Sequence, residues 1–248
     1  MSLALSELPE SARGPWSRRH PLLVDALAAL LVLVVGTVLF RVTNLDLTIA
    51  GHYFAWGPAF PGANWPLGDS ALARAVYKFG TLPALLLGVA GLFGALASRW
   101  VTAWRPYWRV GLFVFLFVLI GPGLVVNVVF KDHWGRPRPR EVVQFGGARI
   151  FLPVWQKGPD DQGGSFPSGH ASMGFALMAP YFWLRRRVWK QAVEYLLLGL
   201  VAGLILGYVR IIQGGHFASD VLWAFGFDYL CGLGLFYLLR FPETSSPE

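Results

Sequence analysis

Residues 110–140 read VGLFVFLFVLIGPGLVVNVVFKDHWGRPRPR. The first 21 carry no charge, and the next ten hold Lys131, Arg136, Arg138, Arg140 and, when protonated, His133. At about 1.5 Å per residue, a helix of some 20 apolar residues crosses the ~30 Å hydrocarbon core of a bilayer. A cationic cluster at the mouth of such a segment calls for an anionic partner. Phosphate suits it, because Arg presents a planar fork of donors that matches phosphate oxygens. Pro137 and Pro139 stop the helix and stiffen the backbone from which the Arg side chains start.

Five more apolar runs flank this one. Residues 22–40 form the first, broken only by Asp25; 80–98 the second; 171–184 the fourth; 195–209 the fifth; and 221–239 the sixth, broken by Asp228. The fourth is short for a span, so it needs tilt or enclosure by its neighbours. The first is too long for a signal-peptide core and lacks a small-x-small cleavage pattern. Gly121-Pro122-Gly123 is expected to bend the third run. Residues 41–78, with Trp56 and Trp65, are too polar to span and read as short interfacial helices. The expected architecture is an all-α bundle of six transmembrane helices over residues 21–240. A polar cytoplasmic leader, 1–20, precedes it, and a polar tail, 241–248, follows. The Gly-rich stretch 141–166 is a loop expected to cover a substrate headgroup.

Composition agrees. Of 248 residues, 55% are hydrophobic and only 14% charged, against about 25% charged in soluble domains. The net charge of +7 sits beside apolar runs and not in a stripe on a soluble face, which argues against nucleic acid as a partner. A single cysteine, Cys231, permits no intrachain disulfide. Arg185, Arg186, Arg187 and Lys190 form the tightest basic cluster outside the motifs, and the positive-inside rule puts it in the cytoplasm. The cationic mouth then faces the other side, the periplasm or cell exterior, in a multi-pass plasma-membrane protein.

Two later stretches also sit where an apolar run meets a loop: FPSGH at 166–170 and RIIQGGHFASD at 210–220. His216 and Asp220, four apart, lie about 40° from each other on a helix. A carboxylate on one ring nitrogen leaves the other free to attack. His216 therefore reads as a nucleophile giving a phosphohistidine, with Asp220 orienting it. His170 reads as general acid for the leaving oxygen and then base for water. Ser168 offers a hydroxyl, and Gly169 lets backbone approach a phosphate at a helix start. Lys131, Arg138 and Arg210 supply three cations for the equatorial oxygens. Phosphoryl transfer needs mostly positioning and charge, so neither metal nor cofactor is expected, and no metal-ligand cluster appears. Arg136 and Arg140 read as rim or headgroup contacts and His133 as a bystander. His20 and His52 have no companions. Asp25 and Asp228, costly within apolar runs, read as structural.

These motifs resemble the type 2 phosphatidic acid phosphatase superfamily. Lys131, six residues, then Arg138-Pro139 is similar to its first motif. Pro167-Ser168-Gly169-His170 is similar to its second, and Arg210, five residues, His216, three residues, Asp220 to its third. Val209 departs from the Ser that often precedes the third motif. The resemblance implies a metal-independent membrane lipid phosphatase acting through the residues just named. Gln144-Phe145-Gly146-Gly147 and Gln213-Gly214-Gly215-His216-Phe217 resemble its lipid A phosphatase branch. That branch often carries cysteines before the second motif, and this chain has none there. Undecaprenyl diphosphate and phosphatidylglycerol phosphate therefore stand beside lipid A as substrates. A lipid-to-lipid phosphotransferase would use the same residues, and a transporter or binding protein with a vestigial site is the rival of another class. Vanadium haloperoxidases share the motifs but are soluble. The expected partners are a lipid phosphate and the bilayer, with no obligate protein partner.

Overall fold

The computed structural model describes residues 21–56, 64–131, 133–160 and 163–241. The expected leader, nearly all of the tail and His20 lie outside the described residues. Among the described residues nine α-helices are formed: α1 Pro21–Thr43, α2 Leu45–His52, α3 Ala71–Phe79, α4 Leu82–Ala97, α5 Trp108–Val118, α6 Gly169–Phe175, α7 Ala179–Leu184, α8 Trp189–Ile212 and α9 Ala218–Leu238. Among the described residues there is no strand, only an isolated bridge between Val142 and Arg149. The all-α expectation holds.

Among the described residues five helical stretches are long and apolar enough to cross a membrane: Leu23–Thr43, Ala71–Ala97, Thr102–Lys131, Trp189–Ile212 and Ala218–Leu238. The second begins at Ala71, well before the apolar run suggested, because α3 runs on almost directly into α4 and carries Arg74 and Tyr77 on its outer turns. The expected fourth span is different in kind. It is broken into α6, a 3-10 turn Ala176–Met178, and α7. Pro180, lacking an N–H and fixed in φ, sits in the first turn of α7 and separates the two pieces. This segment lies in the middle of the bundle: Ala171, Phe175, Ala176, Met178, Ala179 and Phe182 belong to the main core with Phe113, Phe117, Ala192 and Phe236. Its outer end is tied to α9 by Ser168 N donating to Asp220 O at 3.1 Å, and its inner end by an Arg185–Asp25 ion pair to α1. It thus runs between the same two ends as its neighbours.

Close packing replaces hydrophobic drive here, since lipid is as apolar as Leu. A Cβ at Gly174 would meet Gly203 N at 2.6 Å, and one at Gly199 would meet Met178 N at 2.5 Å, so α6 and the turn after it lie against the backbone of α8. By contrast Leu31, Val35 and Val38 on α1 and Leu86, Val89 and Phe93 on α4 are exposed and form the face offered to acyl chains.

Gly121-Pro122-Gly123 does more than bend its helix. From Leu119 to Lys131 the backbone winds as a π-helix. The Asn127 side chain adds a bond along this segment, Nδ2 donating to Pro122 O at 2.7 Å. Gly121 leaves room for Asp228, whose Oδ1 would lie 3.0 Å from a Cβ there. That oxygen accepts from Ser172 Oγ at 2.9 Å. Asp228 is thus a tie between the π-helix, α6 and α9, and Asp25 pairs with Arg185.

The ends of Thr43, Lys131 and Ile212 and the starts of Ala71, Gly169 and Ala218 gather at one end of the bundle. The stretch 141–166 is anchored to it by aromatic rings. Trp134 and Trp155 meet edge-on at 4.9 Å, and Trp155 and Trp223 at 4.6 Å. Phe166 and Val154 are buried in the same cluster. Most of the loop therefore caps α1 and α9, and its Phe145–Gly146 corner reaches the cavity described next.

Candidate active site

At this end the three motifs line one cavity of about 530 Å³, bounded by Lys131, Arg138, His170, Arg210 and His216. The first motif leaves the π-helix at Lys131, the second opens α6, and the third spans the corner from α8 to α9. Arg140 N donates to Gly214 O at 3.1 Å, locking the first loop to the third.

His216 is buried. Its Nδ1 lies 2.5 Å from Ser165 O. A carbonyl only accepts, so Nδ1 carries the proton and Nε2 keeps the lone pair. The expected direct bond from Asp220 is absent: Asp220 Oδ2 stands 3.7 Å from Nδ1, beyond hydrogen-bond range. Asp220 acts one step back. Its Oδ2 accepts from Ser165 Oγ at 2.6 Å and from Phe217 N at 2.7 Å. It fixes the residue whose carbonyl holds the imidazole, and it caps the start of α9. Burial pushes the His216 pKa down to about 4; Asp220 opposes this, and Arg210 and Lys131 add to it. The ring is neutral at pH 7, the state an attacking nitrogen requires.

His170, on the first turn of α6, stacks on Tyr77 with ring centroids 4.5 Å apart. Burial, then the charges of Arg210 and Lys131 together with His216, lower its pKa to about 4. Tyr77 also lies under the Arg210 guanidinium at 4.7 Å, so one ring orients both Arg210 and His170. Arg210 donates to Gln213 Oε1, and Gln213 Nε2 in turn donates to Gly68 O at 3.3 Å. Lys131 Nζ donates to Asn127 Oδ1 at 3.3 Å. Gly169 is packed against the same Asn127 side chain, leaving no room for a Cβ. Arg138 lies 3.9 Å from Glu141.

Three polar atoms from the three motifs are left without a hydrogen-bond partner in the protein although buried: Arg138 Nε, Ser168 Oγ and Arg210 Nε. Each such group costs about 1–3 kcal/mol when it has no partner. Native structures carry few of them, and two of the three, on Arg138 and Arg210, belong to residues that line the cavity, as an oxygen-rich ligand would require.

Arg136 corrects the sequence reading most clearly. Expected at the rim, it is wholly buried. It donates to Asp220 Oδ1 at 2.5 Å, Asp46 Oδ2 at 2.8 Å, Ser219 Oγ at 2.8 Å and Leu152 O at 2.9 Å. Asp46, from α2, also accepts from Ser219 N at 2.9 Å. Arg140 is exposed at the cavity mouth and His133 is exposed with Nδ1 3.0 Å from Val128 O, as expected. Sequence reasoning missed Asp46, Ser165, Asn127, Tyr77 and the cavity-lining Asn64, Trp65 and Arg74.

A helical membrane protein whose buried neutral histidine faces a cavity walled by Lys and Arg has the makings of a phosphoryl-transfer protein. The chain belongs to the PAP2 superfamily, whose family model matches residues 111–242. It is 37% identical over 190 residues, 75% of this chain and 82% of the relative, to a lipid A 4'-phosphatase of Francisella tularensis subsp. novicida. A lipid A 4'-phosphatase of Rhizobium etli is 36% identical over 107 residues, 42% of this chain and 40% of that protein. Among solved structures, a transmembrane PAP2-type phosphatidylglycerolphosphate phosphatase from Bacillus subtilis superimposes with a TM-score of 0.50 at 20% identity, covering 87% of this chain and 94% of that one. This last likeness establishes the shared fold.

Proposed function

We propose that the protein is a membrane lipid phosphatase that removes a phosphate from lipid A or a related glycolipid through a phosphohistidine. The observation that carries the chemistry is the fixed His216 tautomer, with Nε2 left for attack, on a cavity that Lys131, Arg138 and Arg210 also line. Lys131, Arg138 and Arg210 draw the equatorial oxygens into line, and Ser168 Oγ adds a hydrogen bond. Nε2 attacks phosphorus, the P–O bond to the lipid breaks, and protonated His170 gives its proton to the leaving oxygen. His170, now neutral, takes a proton from water. The hydroxide so formed attacks phosphorus, the P–N bond breaks, and inorganic phosphate leaves. Asp220, through Ser165, holds the imidazole while it carries charge. Three cations supply the charge stabilisation, so turnover is expected to survive EDTA.

The substrate reading follows the curated relatives, which are lipid A 4'-phosphatases. It is tested by phosphate release from purified protein in EDTA, with lipid A, undecaprenyl diphosphate, phosphatidylglycerol phosphate and phosphatidic acid compared. Lipid A should give the highest kcat/KM. A clear preference for phosphatidic acid would reject the substrate and leave the histidine chemistry standing.

The pH dependence follows from the two histidines. His216 is lost as a nucleophile when protonated, so kcat/KM falls as pH drops through about 4. His170 must be protonated to act as acid. A bound phosphate dianion opposes the cations that lower its pKa, raising it in the complex and giving kcat an alkaline limb. The His170→Ala variant should keep the acid limb and lose the alkaline one. An unchanged alkaline limb in that variant would remove His170 from the role.

The site opens on the non-cytoplasmic face of the plasma membrane. Arg185, Arg186, Arg187 and Lys190 support this, because they lie at the opposite end of the bundle from the cavity. Ile150, 77% exposed on the site side, provides the test. In an I150C/C231S protein, a membrane-impermeant thiol reagent should label cells whose outer envelope alone is permeabilised. Labelling only after the plasma membrane is broken would invert the topology.

A further inference from the structure

At the end of the bundle away from the catalytic cavity, α4 stops at Ala97 and α5 starts at Trp108. These two helices meet backbone to backbone. A Cβ at Gly91 would lie 2.8 Å from Gly111 O, and one at Gly111 would lie 2.8 Å from Ala95 N. With small residues at the contact, the larger side chains stand beside it and border two grooves. One, of about 400 Å³, is lined by Phe93, Trp104 and Tyr107 and by no charged residue. The other, of about 610 Å³, is lined by Leu92, Leu96, Leu112 and Trp108, and both Arg99 and Arg105 belong to the same wall.

Three tryptophans fix the depth of this end in the bilayer. Trp100, Trp104 and Trp108 are exposed around the turn, and such amphipathic rings settle at headgroup level. Arg99 and Arg105 therefore stand at the height of lipid phosphates. Leu92 and Leu96, in the last two turns of α4, and Leu112 of α5 lie deeper, beside acyl chains. Both guanidiniums are exposed. Among the described residues neither has a carboxylate within ion-pair distance. Other arginines at this end are engaged: Arg109 lies over the Trp108 ring at 5.4 Å and donates to Arg240 O at 3.3 Å, and Arg185 pairs with Asp25.

The charged groove thus joins two planar forks of donors to an apolar slot. A free anion would use the forks alone, and a zwitterionic lipid carries its own ammonium to compete with them. An anionic phospholipid satisfies both parts, its phosphodiester matching the guanidinium geometry. Basic pockets between membrane helices hold such headgroups.

We infer that the groove between α4 and α5 binds an anionic phospholipid of the leaflet opposite the catalytic cavity. Arg99 and Arg105 hold its phosphate, and an acyl chain lies along Leu92, Leu96 and Leu112. None of these residues lines the catalytic cavity, so the inference stands or falls independently of the reaction.

The purified full-length protein is placed in nonionic micelles carrying equal amounts of phosphatidylglycerol and phosphatidylcholine with the same acyl chains. The lipid it retains is counted by native mass spectrometry. Wild type should retain phosphatidylglycerol over phosphatidylcholine by about tenfold or more, as expected for two arginines at an anionic headgroup. R99Q/R105Q should bring the ratio to about one. L96W, which fills the slot and keeps both charges, should also lower retention several-fold. R187Q/K190Q removes two exposed cations from the same end outside the groove and should leave the ratio unchanged. Melts without lipid check that each variant folds. Because a ligand of the folded state stabilises it, phosphatidylglycerol should raise the Tm of wild type above that in phosphatidylcholine, and R99Q/R105Q should lose the difference. Excess inorganic phosphate, with ionic strength matched by chloride in the control, should displace none of the lipid. No headgroup preference in wild type, or an undiminished one in R99Q/R105Q, overturns the site. Equal loss in R187Q/K190Q would mean a diffuse basic surface, and displacement by phosphate a free-anion site; either outcome rejects the lipid site.

Discussion

The His216→Ala variant is expected to fold and to release phosphate at least about 10⁴-fold more slowly than wild type, since removing a covalent nucleophile abolishes the pathway and leaves only binding and charge. The alanine removes one ring from a site whose walls are held by other contacts, namely Asp220 with Ser165 and Phe217 N, and Arg136 with Asp46. The His170→Ala variant makes the mechanism visible. Where the leaving oxygen departs without help, that variant should accumulate phosphorylated protein, because the water that cleaves the P–N bond has lost its base. Brief mixing with radiolabelled substrate, followed by denaturation, should show label that is stable to alkali and released by acid, the behaviour of a phosphoramidate. Retention of label in the His216→Ala/His170→Ala double variant, or near-normal turnover by His216→Ala alone, would place the nucleophile elsewhere.

How far the site was legible in the chain depends on whether a residue's chemistry is carried in its own type. Lys131, Arg138, His170, Arg210 and His216 announce themselves, because cations and imidazoles at the ends of apolar runs have few structural uses, and the cavity brings all five together. Ser165 does not, since it works through a backbone carbonyl that every residue possesses. Tyr77 is hidden differently: an aromatic residue at a membrane boundary is the ordinary interfacial anchor, and only the fold shows it between His170 and Arg210. The helical spans were read from apolar runs, which places the crossing but not its ends. The polar outer turns of α3 were assigned to an interfacial stretch, and Arg74 was lost with them. The fourth run was readable as short. Its break at Pro180 and its central place in the bundle come from packing against α8 that no single-segment pattern contains.

Arg136 is where sequence reading and structure differ most, and its substitution should have the largest effect on stability. In the string KDHWGRPRPR it looks like one more phosphate-seeking cation. Instead it is fully buried between Asp220 and Asp46, over the Phe217 ring at 4.7 Å. Asp46 contributes from 173 residues before its other partner, Ser219, a separation at which sequence alone gives no pairing signal. The Arg136→Met variant would leave two carboxylates buried without their cation. Breaking a buried pair in this way costs about 3–5 kcal/mol, a large share of the roughly 5–15 kcal/mol by which domains are stable. The melting temperature of the detergent-solubilised protein should fall by about 10 °C or more. Arg136→Lys should not rescue it, because an ammonium cannot bridge Asp46, Asp220, Ser219 and the Leu152 carbonyl at once. Asp46→Asn distinguishes support of the fold from support of the chemistry. It leaves Asp220 its guanidinium and keeps an acceptor for Ser219 N, so it should cost less stability than Arg136→Met. It should lower kcat with little change in KM, through looser holding of Asp220, Ser165 and the His216 ring. If Arg136→Met melts within a degree or two of wild type, the buried network does not hold the fold. If Asp46→Asn instead raises KM at constant kcat, its influence passes through substrate binding and not through His216.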